Sequence, residues 1–313
     1  MGVGIMSKSK VIGYLSALGY AIIIGFAFLF SKHAMTYGVL NQLAYRTVIA
    51  FIPLAVAGIF MRRKYNYTKA KLGKLLGLGI FYPLLFFGIQ TYGLSITSSL
   101  EAGVAQAMAP VITLILASVL LNEKTNILQK LSVAVSVGGV LYIIYRKQKL
   151  NPNPDFTGLS ILFLATLAFS IYSVAIRRIK NEYSNLEIMT VVLGESAVIF
   201  TALAIFNSIQ NYGNLSGFLN PLSDRVFLID VLYLGLLSAL ASGLLLNNAL
   251  IRIEASKVVI FGNLGTVIQI FSAGLILGES IFFSHKVGSI CIILGVLGIN
   301  FLGDKNKISL DEK

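Results

Sequence analysis

The side chains that could do chemistry are few, and most are neutral amides, hydroxyls or aromatic rings set in apolar stretches. Arg46, in LAYRTVIAF, and Glu195, in VVLGESAVIF, are the charges placed well inside such stretches. The polar remainder comprises Gln90, Gln106, Asn247, Asn248, Asn263 and Thr266, accompanied by the rings of Phe28, Tyr82, Phe86 and Tyr172. This set suits binding better than reaction. A membrane metalloenzyme needs His or carboxylate clusters at ligand spacing, whereas His33 and His285 are the only histidines and fall near the ends of their apolar runs. No Ser-His-Asp arrangement can be argued and no phosphate loop occurs, so no nucleotide is expected to drive the process. The lone cysteine, Cys291, excludes an internal disulfide and leaves no thiol pair for redox work. The expectation is no catalytic residue, no metal and no cofactor.

Composition dictates the elements that hold these residues. A chain of 313 residues that is 56% hydrophobic and 12% charged, with a mean hydropathy of +0.83, lies far from a soluble domain. The net charge of +12 does not point to nucleic acid, because the basic residues sit in short runs between apolar segments rather than interleaved with aromatics. Ten apolar runs follow one another at 11–30, 41–60, 72–92, 102–121, 128–145, 159–176, 186–206, 231–251, 258–277 and 287–302. They are continuous rather than alternating, so they predict membrane helices and not barrel strands. About 20 residues at 1.5 Å each span a hydrocarbon core of about 30 Å. The pattern assigns residues 1–10 and 304–313 to terminal tails and 146–158 to a linker rich in proline and asparagine.

The stretch 102–145 returns in degenerate form at 258–302, at a constant offset of 156 residues. Glu123 falls on Glu279, Lys130 on Lys286, and Gly139-Val140-Leu141 on Gly295-Val296-Leu297. The chain therefore reads as two related halves, 11–145 and 159–303, of five spans each. Because five is odd, the second half enters the membrane from the opposite side, and the repeats are inverted. Eighteen of the 25 Lys and Arg residues fall on the side that holds both termini, which the positive-inside rule makes cytoplasmic.

A proline-bearing helix ending in Glu, followed by a Gly-Val pair, appears here as Pro110, Glu123 and Gly139-Val140. That pattern resembles the EamA repeat of the drug/metabolite transporter superfamily. Gly25-Phe26-Ala27-Phe28 through Lys32 is similar to that family's first-helix segment, with Ile24 in place of its Trp, and Arg46 sits where its second helix usually carries Arg. The resemblance covers the chain from about residue 11 to 302. It implies an all-α integral membrane protein with ten transmembrane helices in two inverted repeats. It also implies a cavity walled by the first, third, fourth, sixth, eighth and ninth helices, flanked by the second and seventh.

On that frame the cavity candidates are Phe28, Tyr82, Phe86, Gln90, Gln106, Pro110, Tyr172, Asn247, Asn248, Asn263 and Thr266. Tyr82, Phe86 and Gln90 lie four apart on one ridge. Each amide has an alternative use, a bond to a neighbouring helix worth about 0.6–2 kcal/mol. Arg46 and Glu195 are coupling or structural charges, since an unpaired charge at the bilayer centre costs at least about 2.5 kcal/mol. A direct pair between them is opposed by a depth difference of about 10 Å at 1.5 Å per residue. Glu123 and Glu279 either tie their loops or act as gates.

The function implied is a secondary transporter of the plasma or inner membrane, exporting small neutral or zwitterionic metabolites such as amino acids by alternating access. Multidrug efflux and metabolite uptake are the nearest alternatives, and a membrane-embedded enzyme or a passive channel lies further away. The expected partners are a small-molecule substrate and the bilayer, with no nucleic acid; a homodimer is left open.

Overall fold

The computed structural model of the protein describes residues 8–60, 69–97, 99–106, 108–121, 126–148, 156–179, 182–276 and 283–302. Among these residues every regular element is helical. In lipid a backbone N–H or C=O has no water to turn to, and a helix satisfies both groups within one segment. The helices are α1 (Lys8–Ala34), α2 (Val39–Phe60), α3 (Lys69–Gly79), α4 (Phe86–Ile96), α5 (Ser99–Gln106), α6 (Ala109–Leu121) and α7 (Ile127–Gln148). They continue as α8 (Phe156–Arg178), α9 (Asn185–Tyr212), α10 (Ser216–Leu219), α11 (Arg225–Leu232), α12 (Ser242–Arg252), α13 (Ala255–Ile276) and α14 (Phe283–Leu302).

Among the described residues six helical segments are long and apolar enough to cross a membrane: Lys8–Tyr37, Val39–Phe60, Lys71–Ile96, Thr157–Arg178, Asn185–Tyr212 and Arg225–Arg252. Four shorter apolar helical stretches, Ala109–Leu121, Ile127–Gly139, Lys257–Gln269 and Lys286–Gly295, fall in the remaining runs.

Two of the long segments are not plain α-helices. A wider π-helical turn, Ile80–Leu85, joins α3 to α4, and another, Tyr233–Ala241, joins α11 to α12. Pro83 lies in the first, where its ring and missing N–H break the regular ladder. Inside that turn Tyr82 has extended backbone (φ −147°, ψ 126°), which aims its ring away from the helical ridge direction. Displaced by 156 residues, positions 80–85 become 236–241, so both halves carry the same irregularity at the same place. Such turns cluster at functional positions in helical proteins.

The halves interleave. In the first half α1 packs against α12 and α13 of the second; in the second half α8 packs against α4 and α6 of the first. Running directions match as well: Gly25 of α1 meets Ile268 of α13 while Ser16 meets Asn248 of α12. Likewise Thr166 and Ser170 of α8 follow Ala105 and Ala109 in parallel, while Phe169 and Tyr172 run antiparallel to Phe86 and Tyr82. The helix pairs α2–α9 and α7–α14 each join equivalent elements of the two halves.

Small residues permit this closeness. A side chain on Gly139 of α7 would meet the Gly288 carbonyl oxygen at 2.6 Å, and one on its counterpart Gly295 of α14 would meet the Ser132 carbonyl oxygen at 2.6 Å. Lipid gives no hydrophobic push between helices, so such close backbone approach supplies the packing that holds them. The centre of the molecule is aromatic: Tyr82, Phe86, Phe87, Phe169 and Tyr172 form a continuous cluster with ring centroids 4.7–6.2 Å apart.

Candidate functional site

Between the interleaved halves lies a small cavity of about 30 Å³, lined from α1 by Tyr20, Ile24, Ala27 and Phe28 and from α2 by Arg46. The segment around α4 adds Tyr82, Phe86, Phe87 and Gln90, α5 adds Gln106, and the segment around α12 adds Ser238 and Ser242. A second space of about 20 Å³ shares Ala27, Phe28, Arg46 and Gln90 and reaches Ser31, Thr91 and Leu94. Each has room for about a single water.

Its construction follows the repeat. Tyr82 and Ser238 are equivalent positions at the offset of 156, and so are Phe86 and Ser242; all four line the cavity. One half supplies an aromatic wall and the other a hydroxyl wall. Ser242 donates to the Ser238 carbonyl at 2.5 Å.

Arg46 is brought in by the buried stripe of α2, which runs through Leu43, Arg46, Thr47, Ala50 and Leu54 at helical spacing. Its guanidinium carbon sits 3.6 Å from the centre of the Phe87 ring, and Nη2 donates to Ser238 Oγ at 2.9 Å. Nε is buried without a hydrogen-bond partner, and the residue is only 4% exposed. Among the described residues no carboxylate pairs with it. Glu195, on α9, instead abuts Gly79 at the start of the first wide turn, with Oε2 buried and unpartnered. Their environments are related: Gly79 and Gly235 are equivalent, and Gly235 packs in the same way against Ile49 and the Arg46 carbonyl of α2.

Phe28, Tyr82, Phe86, Gln90 and Gln106 thus converge on the cavity, and Gln90 Nε2 lies 3.4 Å from Gln106 Oε1. Tyr172 stands behind the aromatic wall, fully buried, and donates to Asn247 Oδ1 at 2.9 Å; Asn247 Nδ2 has no partner. The other candidates are occupied elsewhere. Asn248 donates to Ser16 at 2.8 Å and accepts from Arg252, which ties α12 to α1. Asn263 donates to Ser136 at 2.7 Å, joining α13 to α7. Thr266 packs over Gly103, and Pro110 is buried in α6. Glu123 and Glu279 lie outside the described residues.

Among the described residues the sixth and ninth runs contribute nothing to the lining, and the second, through Arg46, does. Phe169 and Tyr172 fill the sixth run's approach with rings packed on Tyr82 and Phe86. Sequence reasoning passed over Tyr20, Phe87, Ser238 and Ser242. Adding 156 to Tyr82 and Phe86 is the signal that would have found the two serines.

At one end of the bundle lies a larger half-open recess of about 750 Å³ between the start of α2, the end of α4 and the end of α9, bordered by Asn41, Tyr92, Ser95, Asn207 and Asn211. Nearby, His33 Nδ1 lies 2.5 Å from Asp230 Oδ2, joining α1 to α11. Tyr37 donates to Asp224, the N-cap of α11. That bond, with the one from the Val226 N–H at 2.7 Å, holds the Asp224 carboxyl below the usual carboxylate range. Among the described residues no group of three or more His, Cys, Asp or Glu could hold a metal ion.

The match to known proteins agrees with this architecture. A protein of Bacillus subtilis (strain 168), "Uncharacterized transporter YcxC", is 32% identical over 288 residues, 92% of each chain. An "Uncharacterized transporter" of Archaeoglobus fulgidus is 23% identical over 72% of this chain and 76% of its own. A solved crystal structure superposes with a TM-score of 0.72 at 15% identity, over 96% of this chain and 99% of that one, which shows the shared fold. Residues 11–145 and 156–301 each match the EamA-like transporter family. The chain carries two copies of that repeat and belongs to the EamA-like transporter family, as a multi-pass membrane protein of the transporter class.

Proposed function

We propose that the protein is a ten-span secondary transporter of small amphipathic metabolites, amino acids or compounds of similar size, working by alternating access and in the export direction across the plasma membrane. The supporting observation is the small aromatic and polar cavity at the seam of two interleaved repeats, bordered by the same wide turn in each half. The four shorter apolar helices complete ten crossings in this reading, with both termini in the cytoplasm. Span four then runs opposite to span one, and α8, parallel to α5 and α6, runs opposite to α1, which makes the repeats inverted. Exchange of conformation between the halves then opens the cavity to one side and then the other.

Rings and amides favour an amphipathic molecule: the rings take up apolar surface while the amides fix orientation. Uptake of labelled amino acids and aromatic metabolites into proteoliposomes, with and without the same compound preloaded, tests the proposal. Saturable uptake accelerated by preload is expected. Linear uptake that preload does not change contradicts a carrier.

A further inference from the structure

The cavity contains a charge with no counterion among the described residues. Arg46 is nearly inaccessible, bonds one serine hydroxyl, stacks on Phe87 and leaves Nε unsatisfied. A buried guanidinium is ordinarily paired, because removing it from water is costly unless an opposite charge or full hydrogen bonding repays the loss. Among the described residues neither buried acid pairs with it: Glu195 lies against Gly79, and Asp230 faces His33. Meanwhile the residues beside the guanidinium are rings, amides and hydroxyls. No lining residue is acidic, and Arg46 is the only cation among them.

Resting on the transport reading above, we propose that Arg46 is the anion-recognition residue of the cavity. The substrate class is a small monocarboxylate on an apolar or aromatic body, whose carboxylate supplies the counterion that the lining residues do not. A planar guanidinium with free donors matches a carboxylate, and the aromatic wall of Tyr82, Phe86 and Phe87 accepts the body. A dianion such as a sugar phosphate would bring a second charge that no lining group answers. An amine is not required, because the lining offers it no carboxylate.

The test uses purified full-length protein in detergent and matched carboxylate, primary amide and amine compounds on three bodies: phenyl, indolyl and isobutyl. Ligand-dependent rise in Tm gives relative affinities. On at least one body the carboxylate should bind about tenfold or more tightly than its amide, since a bond to a charged group is worth that factor. In Arg46→Gln the preference should fall to within about twofold, and Arg46→Lys should retain part of it. The wild-type comparison does not depend on either variant folding.

Equal or tighter binding of the amide or amine overturns the assignment while leaving the transport reading intact. Absence of binding by all nine compounds also overturns it, and preload-accelerated uptake then decides the transport reading separately. A carboxylate preference that persists unchanged in folded Arg46→Gln assigns anion recognition to another group and likewise overturns it.

Discussion

Glu195 and Asp224 show how a carboxyl group behaves differently within a span and outside it. Glu195 is held against Gly79 with a buried, unpartnered oxygen, an arrangement that suits a proton carrier in a membrane. If Glu195 couples flux to protons, Glu195→Gln abolishes acceleration by an imposed pH gradient but leaves preload exchange; full pH-driven flux in that variant contradicts the coupling. Asp224 lies outside the spans, and its bonds from Tyr37 and the Val226 N–H favour the ionised form. Its folded pKa is below the unfolded value of about 3.9, so the stabilisation is present above that value and is lost as pH falls through the folded pKa. Asn can still cap α11. Asp224→Asn should therefore lower Tm at pH 7, with the gap narrowing as pH falls below about 3.9, read by circular dichroism; a gap that does not narrow in acid contradicts the charge argument.

At the scale of elements, the wide turns hold α2 and α9 close. A side chain at Gly235 would meet Ile49 at 2.6 Å and the Arg46 carbonyl oxygen at 2.9 Å, a contact with backbone that cannot swing aside. At Gly79 the nearest atoms belong to the mobile end of Glu195, and the Val192 Cα is 3.4 Å away. Gly235→Ala should thus cost about 1–3 kcal/mol through overpacking and displace Arg46, whereas Gly79→Ala should cost less. Thermal denaturation of the pair checks this order, and equal losses would contradict it. Much of this level was legible in sequence. Phe86 and Gln90 keep their four-residue spacing on α4, whereas Tyr82 reaches the same lining through its extended backbone rather than along a helical ridge. Ser238 and Ser242 were missed because small hydroxyls in an apolar run carry little polarity signal alone. The amides of Asn248 and Asn263 could not be assigned from sequence, since a membrane amide serves a cavity or a neighbouring helix equally well until its partner is known. Arg46 was recognised as a charge within a span, but its entry into the cavity depends on the rotation of α2, which packing sets.

For the whole molecule, the duplication is the feature that sequence and structure express most directly. The offset of 156 carries Gly79 to Gly235 and Gly139 to Gly295, each packed closely against another helix, and Tyr82 to Ser238, both of which line the cavity. Two halves related in this way could exchange conformations at similar energy, which is the basis of the alternating access proposed above. The most direct measurement places a lone cysteine at the cavity, Ser242→Cys in a Cys291→Ala background, and follows its reaction with a membrane-impermeant thiol reagent applied from each side of right-side-out and inverted vesicles. The account predicts labelling from both sides, with a transported compound changing the ratio. Labelling from one side alone, whatever compound is present, would contradict alternating access.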